Sequence, residues 1–309
     1  LGGIIPQVTG RAYAEHIKSN VLERLHMDHS HSSLPEAKSD GLAQGHQLWF
    51  RRPNARSTYP FVNSFLPSMT LMLSSEDMAR FLMATLTNRS IANEPVLSDE
   101  AAVTFYQPLE KAYLDEFTGE YAFGSLITKL HGRKVIFCQG GYNSFRAYVF
   151  IMPEAHVGFV IMMNMNTGYS DQGLTTISRN VLSYLAEGTL TPTPADPEYY
   201  IWLALPLCVL LIEAIRIIIA IITMKRWKRV APAQTKKARR LMLSLLLPLL
   251  FDLVVIFAFL YLLPHSLGIP LSTMMFVQPD LTIFVYVICT VFTAFALIRT
   301  VWGTRLLLR

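Results

Sequence analysis

Cysteine is nearly absent from this chain of 309 residues, which contains three. Only Cys138 lies in the first 199 residues, because Cys208 and Cys289 fall inside long apolar stretches. A lone cysteine forms no internal disulfide, so the first part of the chain must be stabilised by packing. About 190 residues are enough for one hydrophobic core. The cysteine content therefore excludes the small, disulfide-rich class of secreted domain.

Charged residues are scarce in the C-terminal third, where three long apolar runs cover residues 201–223, 241–263 and 281–298. A helix needs roughly 20 residues to cross a hydrocarbon core, and each run is close to that length. The sequence therefore predicts a region of three transmembrane helices over 200–309, with the lipid bilayer as a partner.

The loops between these runs differ sharply in charge. Residues 225–240 contain eight Lys or Arg and no acid, whereas residues 264–280 contain neither Lys nor Arg. Basic flanks remain in the cytoplasm. We therefore expect a multi-pass protein of the plasma membrane, with the 225–240 loop and the C-terminus cytoplasmic. Residues 1–199 are then extracytoplasmic, and Arg299, after the third run, belongs to a cytoplasmic flank.

The net charge of +5 is the sum of two opposite contributions. Residues 1–199 carry 15 Lys or Arg against 19 Asp or Glu, a net charge of −4. Residues 200–309 carry 12 against 3, a net charge of +9. The positive charge thus lies beside the apolar runs, where it contacts anionic lipid head groups. A nucleic-acid surface needs the opposite distribution, so we expect no nucleic-acid partner.

Periodicity in the first part predicts helices, then strands, then a closing helix. Helical spacing covers 11–25, and Ser74 or Ser75 and then Ser98 are expected to cap two further helices. An irregular stretch at 26–70 contains a short strand near 47–51. Strand-like runs follow at 121–130, 134–138, 145–152 and 157–163, broken by a Gly-Gly pair after the second. Helical spacing returns at 171–187, and a Pro/Thr linker covers 188–199. The fold class is therefore α+β.

Three segments of residues 1–187 carry a family resemblance. Residues 1–27 place Leu-Gly and Val-Thr-Gly around a helix, residues 65–86 lead from a Pro turn into Ser-x-x-Asp-Met-x-x-Phe, and residues 121–167 form hairpin strands. In this order they resemble the C-terminal part of the serine beta-lactamase and penicillin-binding-protein-like family, including its class C, esterase and D-aminopeptidase-like branches. The resemblance implies an antiparallel sheet with helices.

The family's catalytic motifs are not found in this sequence. A Ser nucleophile one helical turn before a Lys and a Tyr-x-Asn proton relay carry its chemistry. None of the nine Lys has a Ser three residues earlier, and no Asn has a Tyr two residues earlier. The chain opens with Leu1 and without a signal sequence, so we expect that an N-terminal part is missing. We therefore predict no catalytic residue in this chain and no hydrolytic activity from it alone.

The third family motif is altered. The resemblance implies Lys or His, a small residue and Gly on the strand that lines the cleft, and here this stretch is Gln139-Gly140-Gly141. By resemblance, the Tyr142 backbone N–H is an oxyanion-hole donor. Two glycines suit close approach of a substrate, or alternatively form a strand-end bulge. Because Gln offers only a neutral amide, the substitution puts hydrolysis in question.

Two other groups of polar residues remain. His26, Asp28, His29 and His31 are close in sequence, but their spacing fits no strong zinc pattern, and we predict no metal and no cofactor.

Glu213, Arg216 and Asp252 lie inside the apolar runs, where charges must face protein and pair. We interpret them as one Arg held between two carboxylates of different helices. A proton or signal relay is the alternative.

Two functions of different class stay open. One is a membrane-anchored serine hydrolase that acts outside the cell on cell-wall peptides, D-amino-acid amides, esters or beta-lactams. The other is a non-catalytic cell-wall ligand-binding or sensor module on a membrane anchor, which Gln139 favours. A Ser-x-x-Lys motif elsewhere in the same protein would distinguish them.

Overall fold

The computed structural model describes residues 2–50, 52–56, 65–90, 93–114, 117–142, 144–166, 168–190, 198–227 and 242–307. The chain separates into two compact units, Leu1–Pro194 and Ala195–Arg309. The first unit combines helices with an antiparallel sheet, which confirms the α+β class, and the second consists of helices. The middle of the predicted linker, 191–197, lies outside the described residues.

Two helices of the first unit begin at a serine cap. Their bounds are α1 Ile4–Thr9, α2 Tyr13–Ile17 with a π-helical extension Lys18–Leu22, α3 Leu34–Ser39, α4 Ser75–Thr87, α5 Asp99–Phe105 and α6 Gly168–Glu187. The Ser74 hydroxyl accepts the Asp77 N–H at 3.1 Å, and the Ser98 hydroxyl accepts the Ala101 N–H at 3.2 Å. Both predicted caps are confirmed, whereas α1 and α3 are additions to the predicted elements.

The strands form two antiparallel sheets within the described residues. A hairpin joins β1 His46–Trp49 to β2 Arg52–Ala55. The larger sheet has six strands, each paired with its neighbours along the chain, in the order β3 to β8. Their bounds are β3 Glu110–Leu114, β4 Phe117–Ala122, β5 Ser125–Leu130, β6 Arg133–Tyr142, β7 Phe145–Met152 and β8 Val157–Met163.

Alternating apolar side chains give this sheet two buried faces. On one face, the stacked rings of Phe137 and Phe150 lie 4.6 Å apart and pack with Leu174 and Leu182 of α6. On the other face, Ile136 and Ile151 pack against α4. Because successive residues of a strand point to opposite faces, the same stretch of β6 and β7 serves both layers.

Several predicted strand bounds are wrong. The run predicted at 121–130 is a hairpin of β4 and β5, turned at Gly124, whose φ of +80° suits glycine. The strand predicted to stop before Gly140-Gly141 continues to Tyr142. Its register with β7 is continuous through both glycines, so the bulge interpretation does not apply there. Glycines usually indicate the end of a strand, but here pairing with β7 keeps the backbone of Gly140 and Gly141 extended.

The second unit contains three helices long and apolar enough to cross a membrane, over Leu203–Thr223, Leu247–Ser266 and Pro279–Arg305. The first lies in α7 Glu198–Trp227, the second begins with α8 Leu247–Phe257 and continues through the segments that follow it, and the third lies in α11 Pro279–Leu307. Two π-helical segments, Met242–Leu246 and Ala258–Leu262, flank α8, and α9 Leu263–Ser266 and α10 Leu271–Val277 follow it.

The helix that contains the third predicted run, 281–298, extends beyond it at both ends. The observed helix α11 continues past Arg299, which is 4% exposed. It contacts both α7 and α8. Its Gly303 lies against Leu245, since a Cβ added to this glycine would come within 2.6 Å of the leucine side chain. The charge of Arg299 stays inside the helical unit because an acidic partner neutralises it.

Candidate functional site

The second half of β6 forms an open edge within the sheet. The β5 strand pairs with β6 only at residues 133–137, whereas β7 pairs with it from Ile136 to Tyr142. Gln139, Gly140 and Gly141 therefore lie on a stretch with β7 on one side and, within the described residues, no strand on the other. Such an edge leaves backbone N–H and C=O groups available to an extended ligand.

The three segments that carry the family resemblance meet at this edge. The Phe65 ring contacts the Tyr142 ring edge to face, with 6.4 Å between centroids. Two residues after Phe65, Pro67 lies against Gly2, where an added Cβ would come within 2.2 Å of the proline ring. Residues far apart in sequence thus surround the end of β6.

The turn at 65–69 is closed by its own polar groups. The Ser68 hydroxyl donates to the Phe65 carbonyl at 3.0 Å, and the Ser68 and Met69 backbone N–H groups donate to the same carbonyl at 2.9 Å each. The Met69 side chain is exposed. Ser68 is exposed as well, so both side chains point outward from this tight turn.

Asp77 fixes the segment after α2 to the start of α4. Its carboxylate is fully buried and accepts from the His29 N–H at 2.8 Å, the Ser30 hydroxyl at 2.7 Å and the Arg80 guanidinium at 3.0 Å. Arg80 also donates to the His26 carbonyl. With these donors the buried carboxylate is satisfied. Asp77 therefore holds the chain at His29 and Ser30 against α4, and Arg80 extends the contact to His26, at the end of the first resemblance segment.

The three histidines at 26–31 do not form one cluster of side chains. His29 and His31 share Asp40, with Nδ1–Oδ2 at 3.0 Å and Nε2–Oδ2 at 2.7 Å, while His26 only offers its carbonyl to Arg80. The hydrogen bond that His29 donates to Asp40 raises the pKa of His29. Hydrogen bonds from His31 and then His29 lower the pKa of Asp40. Over the described residues, no group of three or more ligand side chains is arranged to hold a metal ion.

Arg146 is a site residue that the sequence analysis missed. It lies opposite Gly141 on β7, and its Nη2 donates to Gln139 Oε1 at 2.7 Å. A guanidinium thus stands next to the position where the family resemblance implies Lys or His. Register counted outward from the turn between β6 and β7 pairs 141 with 146, but a strand predicted to end at 138 does not contain this pair.

The charges within the apolar helices form one network. Arg216 donates to Glu213 Oε2 at 2.5 Å and to Asp252 Oδ1 at 2.8 Å. Arg299 donates to the other Asp252 oxygen, Oδ2, at 2.5 Å. Two cations thus balance two carboxylates, and Asp252 joins helices α7, α8 and α11. Arg299 was not predicted as a member of this network, because it follows the third apolar run and resembles a basic flank.

A family model described as beta-lactamase matches residues 1–181. The chain belongs to the beta-lactamase family. Among curated relatives, the protein flp of Staphylococcus aureus (strain NCTC 8325 / PS 47) is 23% identical over 191 residues. That match covers 62% of this chain and 36% of flp, so the chain spans about a third of the relative's length.

Solved structures with similar folds include penicillin-binding-protein and beta-lactamase relatives. The octameric penicillin-binding protein homologue from Pyrococcus abyssi has a TM-score of 0.49 at 24% identity. The match covers 60% of this chain and 40% of the Pyrococcus protein. The class C beta lactamase from Rhodobacter sphaeroides has a TM-score of 0.44 at 17% identity, and the match covers 53% of this chain and 52% of that protein. The D-amino acid amidase from Ochrobactrum anthropi SV3 has a TM-score of 0.45 at 15% identity, and the match covers 54% of this chain and 48% of the amidase.

Proposed function

We propose that this chain supplies the sheet side of a membrane-anchored serine-hydrolase site. The proposed substrates are cell-wall peptides, D-amino-acid amides, esters or beta-lactams, met outside the cell. The observation that carries the proposal is the convergence of the three beta-lactamase-family segments beside the open half of β6. An extended acyl substrate can add to such an edge as a further strand and bring its carbonyl to the strand end.

The nucleophile of this site must come from sequence outside this chain. Acyl transfer requires a Ser hydroxyl whose proton a neighbouring base removes, and none of the nine Lys follows a Ser at the required spacing. The residues present can position a substrate and donate hydrogen bonds to it. We therefore expect this chain alone to form no acyl-enzyme.

The test compares this chain with the longest product of its own reading frame, both expressed in membranes. Each is treated with a fluorescent penicillin and with a fluorophosphonate probe, which label active serine hydrolases. We expect no labelling of this chain, and labelling of a longer product that contains Ser-x-x-Lys and Tyr-x-Asn. A Ser→Ala change in the Ser-x-x-Lys motif is the control and must abolish the label.

The anchoring and sidedness are part of the proposal. Three apolar helices support attachment to the bilayer, and the eight basic residues at 225–240 support a cytoplasmic loop. Residues 1–199 would then face the outside, where cell-wall peptides are found. Anionic lipid head groups are the expected partners of the basic loop.

A non-catalytic binding or sensor module is the second candidate, and Gln139 favours it. A neutral amide in place of Lys or His lowers the positive charge that acyl transfer uses at this strand. If the longest product contains no Ser-x-x-Lys, or is never labelled but still binds a cell-wall peptide, the module is the correct function. In that case the charge network of α7, α8 and α11 would carry the signal across the bilayer.

A further inference from the structure

The turn between β5 and β6 carries a basic tip, formed by Lys129, Arg133 and Lys134 around the central residues His131-Gly132. Lys129 and Arg133 are exposed, and Lys134 is partly exposed. Within the described part of the chain, no carboxylate forms an ion pair with any of these three cations. Residues 1–199 carry a net charge of −4, so the tip is a local concentration of positive charge on an acidic unit.

Strand register places two of these cations directly opposite each other. Lys129 on β5 pairs with Lys134 on β6, so both side chains lie on the same face of the sheet. Like charges at such a position destabilise an antiparallel pair. A negatively charged partner that covers the tip would remove this repulsion.

The basic tip is held in a fixed shape. His131 and Gly132 both have positive φ, at 49° and 77°, as the two central residues of a tight type I′ hairpin require. The His131 ring contacts the last turn of α6, with Nδ1 at 2.7 Å from Glu187 Oε1 and Nε2 at 3.4 Å from the hydroxyl oxygen of the buried Ser183. The cations are thus displayed beside the C-terminal end of α6.

This end of α6 is where the chain continues toward the first apolar helix. Eleven residues lead from Glu187 to Glu198, where α7 begins. Eleven residues reach at most about 40 Å at full extension. The basic tip is therefore within reach of the bilayer that α7 is proposed to enter.

Exposed apolar side chains lie next to the basic tip. Tyr184 and Leu185, in the last turn of α6, are 57% and 37% exposed, and Leu190 shortly after it is 68% exposed. Tyrosine is enriched where protein meets the head-group region of a membrane, and Lys or Arg beside apolar residues favours anionic lipid. The composition of this surface suits a lipid head-group layer.

We infer that the basic tip, together with the last turn of α6, docks on the surface of a bilayer that contains anionic lipid. Phosphate groups of the lipid would lie over Lys129 and Lys134 and offset their repulsion. The strand β6 has ten residues and is about 30 Å long, and the tip and the open half of β6 are at its opposite ends. Docking therefore leaves the candidate site uncovered. The inference rests on the anchoring in the proposed function but not on hydrolysis.

The experiment places the full chain in nanodiscs of phosphatidylcholine and phosphatidylglycerol, with a phosphatidylglycerol probe that carries a photoreactive head group. After irradiation, crosslinked peptides are mapped by mass spectrometry. We expect crosslinks in the peptides that cover 129–134 and 184–190. The triple variant Lys129→Gln/Arg133→Gln/Lys134→Gln should lower their yield by about tenfold or more, because each cation contributes roughly fivefold to binding at an anionic surface.

Lys111→Gln is the matched control. Lys111 is an exposed lysine of the same sheet, but it lies opposite Glu120 and near the β4–β5 turn, at the other end of the sheet. This variant should leave the crosslinks at the tip unchanged, whereas added salt should weaken them in the wild type. Thermal unfolding checks that each variant is folded. If the triple variant does not fold, Lys129→Gln alone should lower the yield about fivefold.

Crosslinks in α7, α8 and α11 report the anchoring separately. Crosslinks in these helices with none at the tip would overturn the inference and leave the anchoring standing. A tip that reacts equally in the triple variant, or equally in nanodiscs of phosphatidylcholine with a phosphatidylcholine probe, would also overturn it, because charge would not select the lipid. Crosslinks in neither region would remove both the anchoring and the inference.

Discussion

At the scale of single residues, Asp77 has the largest expected effect on stability. Removing a buried acceptor leaves its donors unsatisfied, at a cost of about 1–3 kcal/mol for each group. Asp77→Ala strips the His29 N–H and the Ser30 hydroxyl of their acceptor, whereas Arg80 keeps Glu76 and the His26 carbonyl, so we expect the free energy of unfolding to fall by about 2–6 kcal/mol. Urea titration of the full chain in micelles measures it.

The neighbouring Glu76 provides the control for this prediction. It also pairs with Arg80, at 2.6 Å, but its side chain is 66% exposed. An exposed pair of this kind contributes little, so Glu76→Ala should change stability by less than about 1 kcal/mol. Equal losses from the two substitutions would mean that the buried network does not join the segments.

The contact of His29 with Asp40 is expected to stabilise the fold only within a limited range of pH. The pKa of His29 is raised above its ordinary 6.5, so its contribution to stability is present below that pH and is lost as pH rises through the folded value. The pKa of Asp40 is lowered below 3.8, so its contribution is present above that pH and is lost on acidification. Their joint contribution is therefore greatest between these two values.

The measurement is the thermal midpoint of wild type minus that of Asp40→Asn, from about pH 3 to about pH 9. We expect the difference to peak between the ordinary pKa values of Asp40 and His29 and to decline on both sides. His16→Gln, in α2 and remote from Asp40 in the described contacts, is the control. A difference that stays constant with pH would rule out the charged contact.

At the scale of secondary-structure elements, Asp252 is the link between three helices. Asp252→Asn leaves Arg216 and Arg299 without their common carboxylate, and we expect a loss of about 3 kcal/mol or more in resistance to SDS unfolding. Glu213→Gln is the matched control. Its carboxylate is equally buried, but it pairs only with Arg216 and its Oε1 has no hydrogen-bond partner in the described part of the chain.

A double variant tests whether the Asp252–Arg299 pair serves to hold the helices together. Replacing Asp252 and Arg299 together by Leu removes both charges, and much of the lost stability should return. If stability returns, the pair holds α8 against α11. If the double variant is as unstable as Asp252→Asn, or less stable still, pairing with Arg299 is not what stabilises the helices.

Elements also show where strand prediction from sequence fails. The pattern divides 134–152 at Gly140-Gly141, whereas the structure turns only after Tyr142. A glycine pair lowers strand propensity locally, but pairing with β7 over seven residues, 136–142, outweighs it. The same error hid Arg146, because the register of a hairpin follows from the position of its turn.

At the scale of the whole molecule, the sidedness of the helices is the decisive prediction. In a background where Cys138, Cys208 and Cys289 are replaced by Ser, Ser266→Cys and Gln234→Cys variants are treated in intact cells with an impermeant maleimide. We expect labelling of the Ser266→Cys variant alone, because basic loops stay in the cytoplasm.

Permeabilised cells give the control for this experiment, since both variants should then react. Labelling of the Gln234→Cys variant in intact cells, with none of the Ser266→Cys variant, would reverse the topology. The first 199 residues would then face the cytoplasm, and a cell-wall ligand would be excluded. The hydrolase and the sensor proposals both depend on this result.

The sequence alone determined the features that depend on local pattern. Apolar runs of membrane length, the charge difference between loops, the Ser74 and Ser98 caps and the alternation of buried strands all follow from residues close together in the chain. The order of three family segments was also sufficient to indicate the beta-lactamase family.

Only the tertiary structure decided the contacts that build the candidate site. Gln139 meets Arg146 through strand register, Asp77 collects donors from a segment almost fifty residues away, and Arg299 reaches Asp252 across helices. Charged side chains adopt such buried positions because a partner of opposite charge, or a polar acceptor, compensates their desolvation. Which partner comes within hydrogen-bond distance depends on packing, and packing has no signature in local sequence.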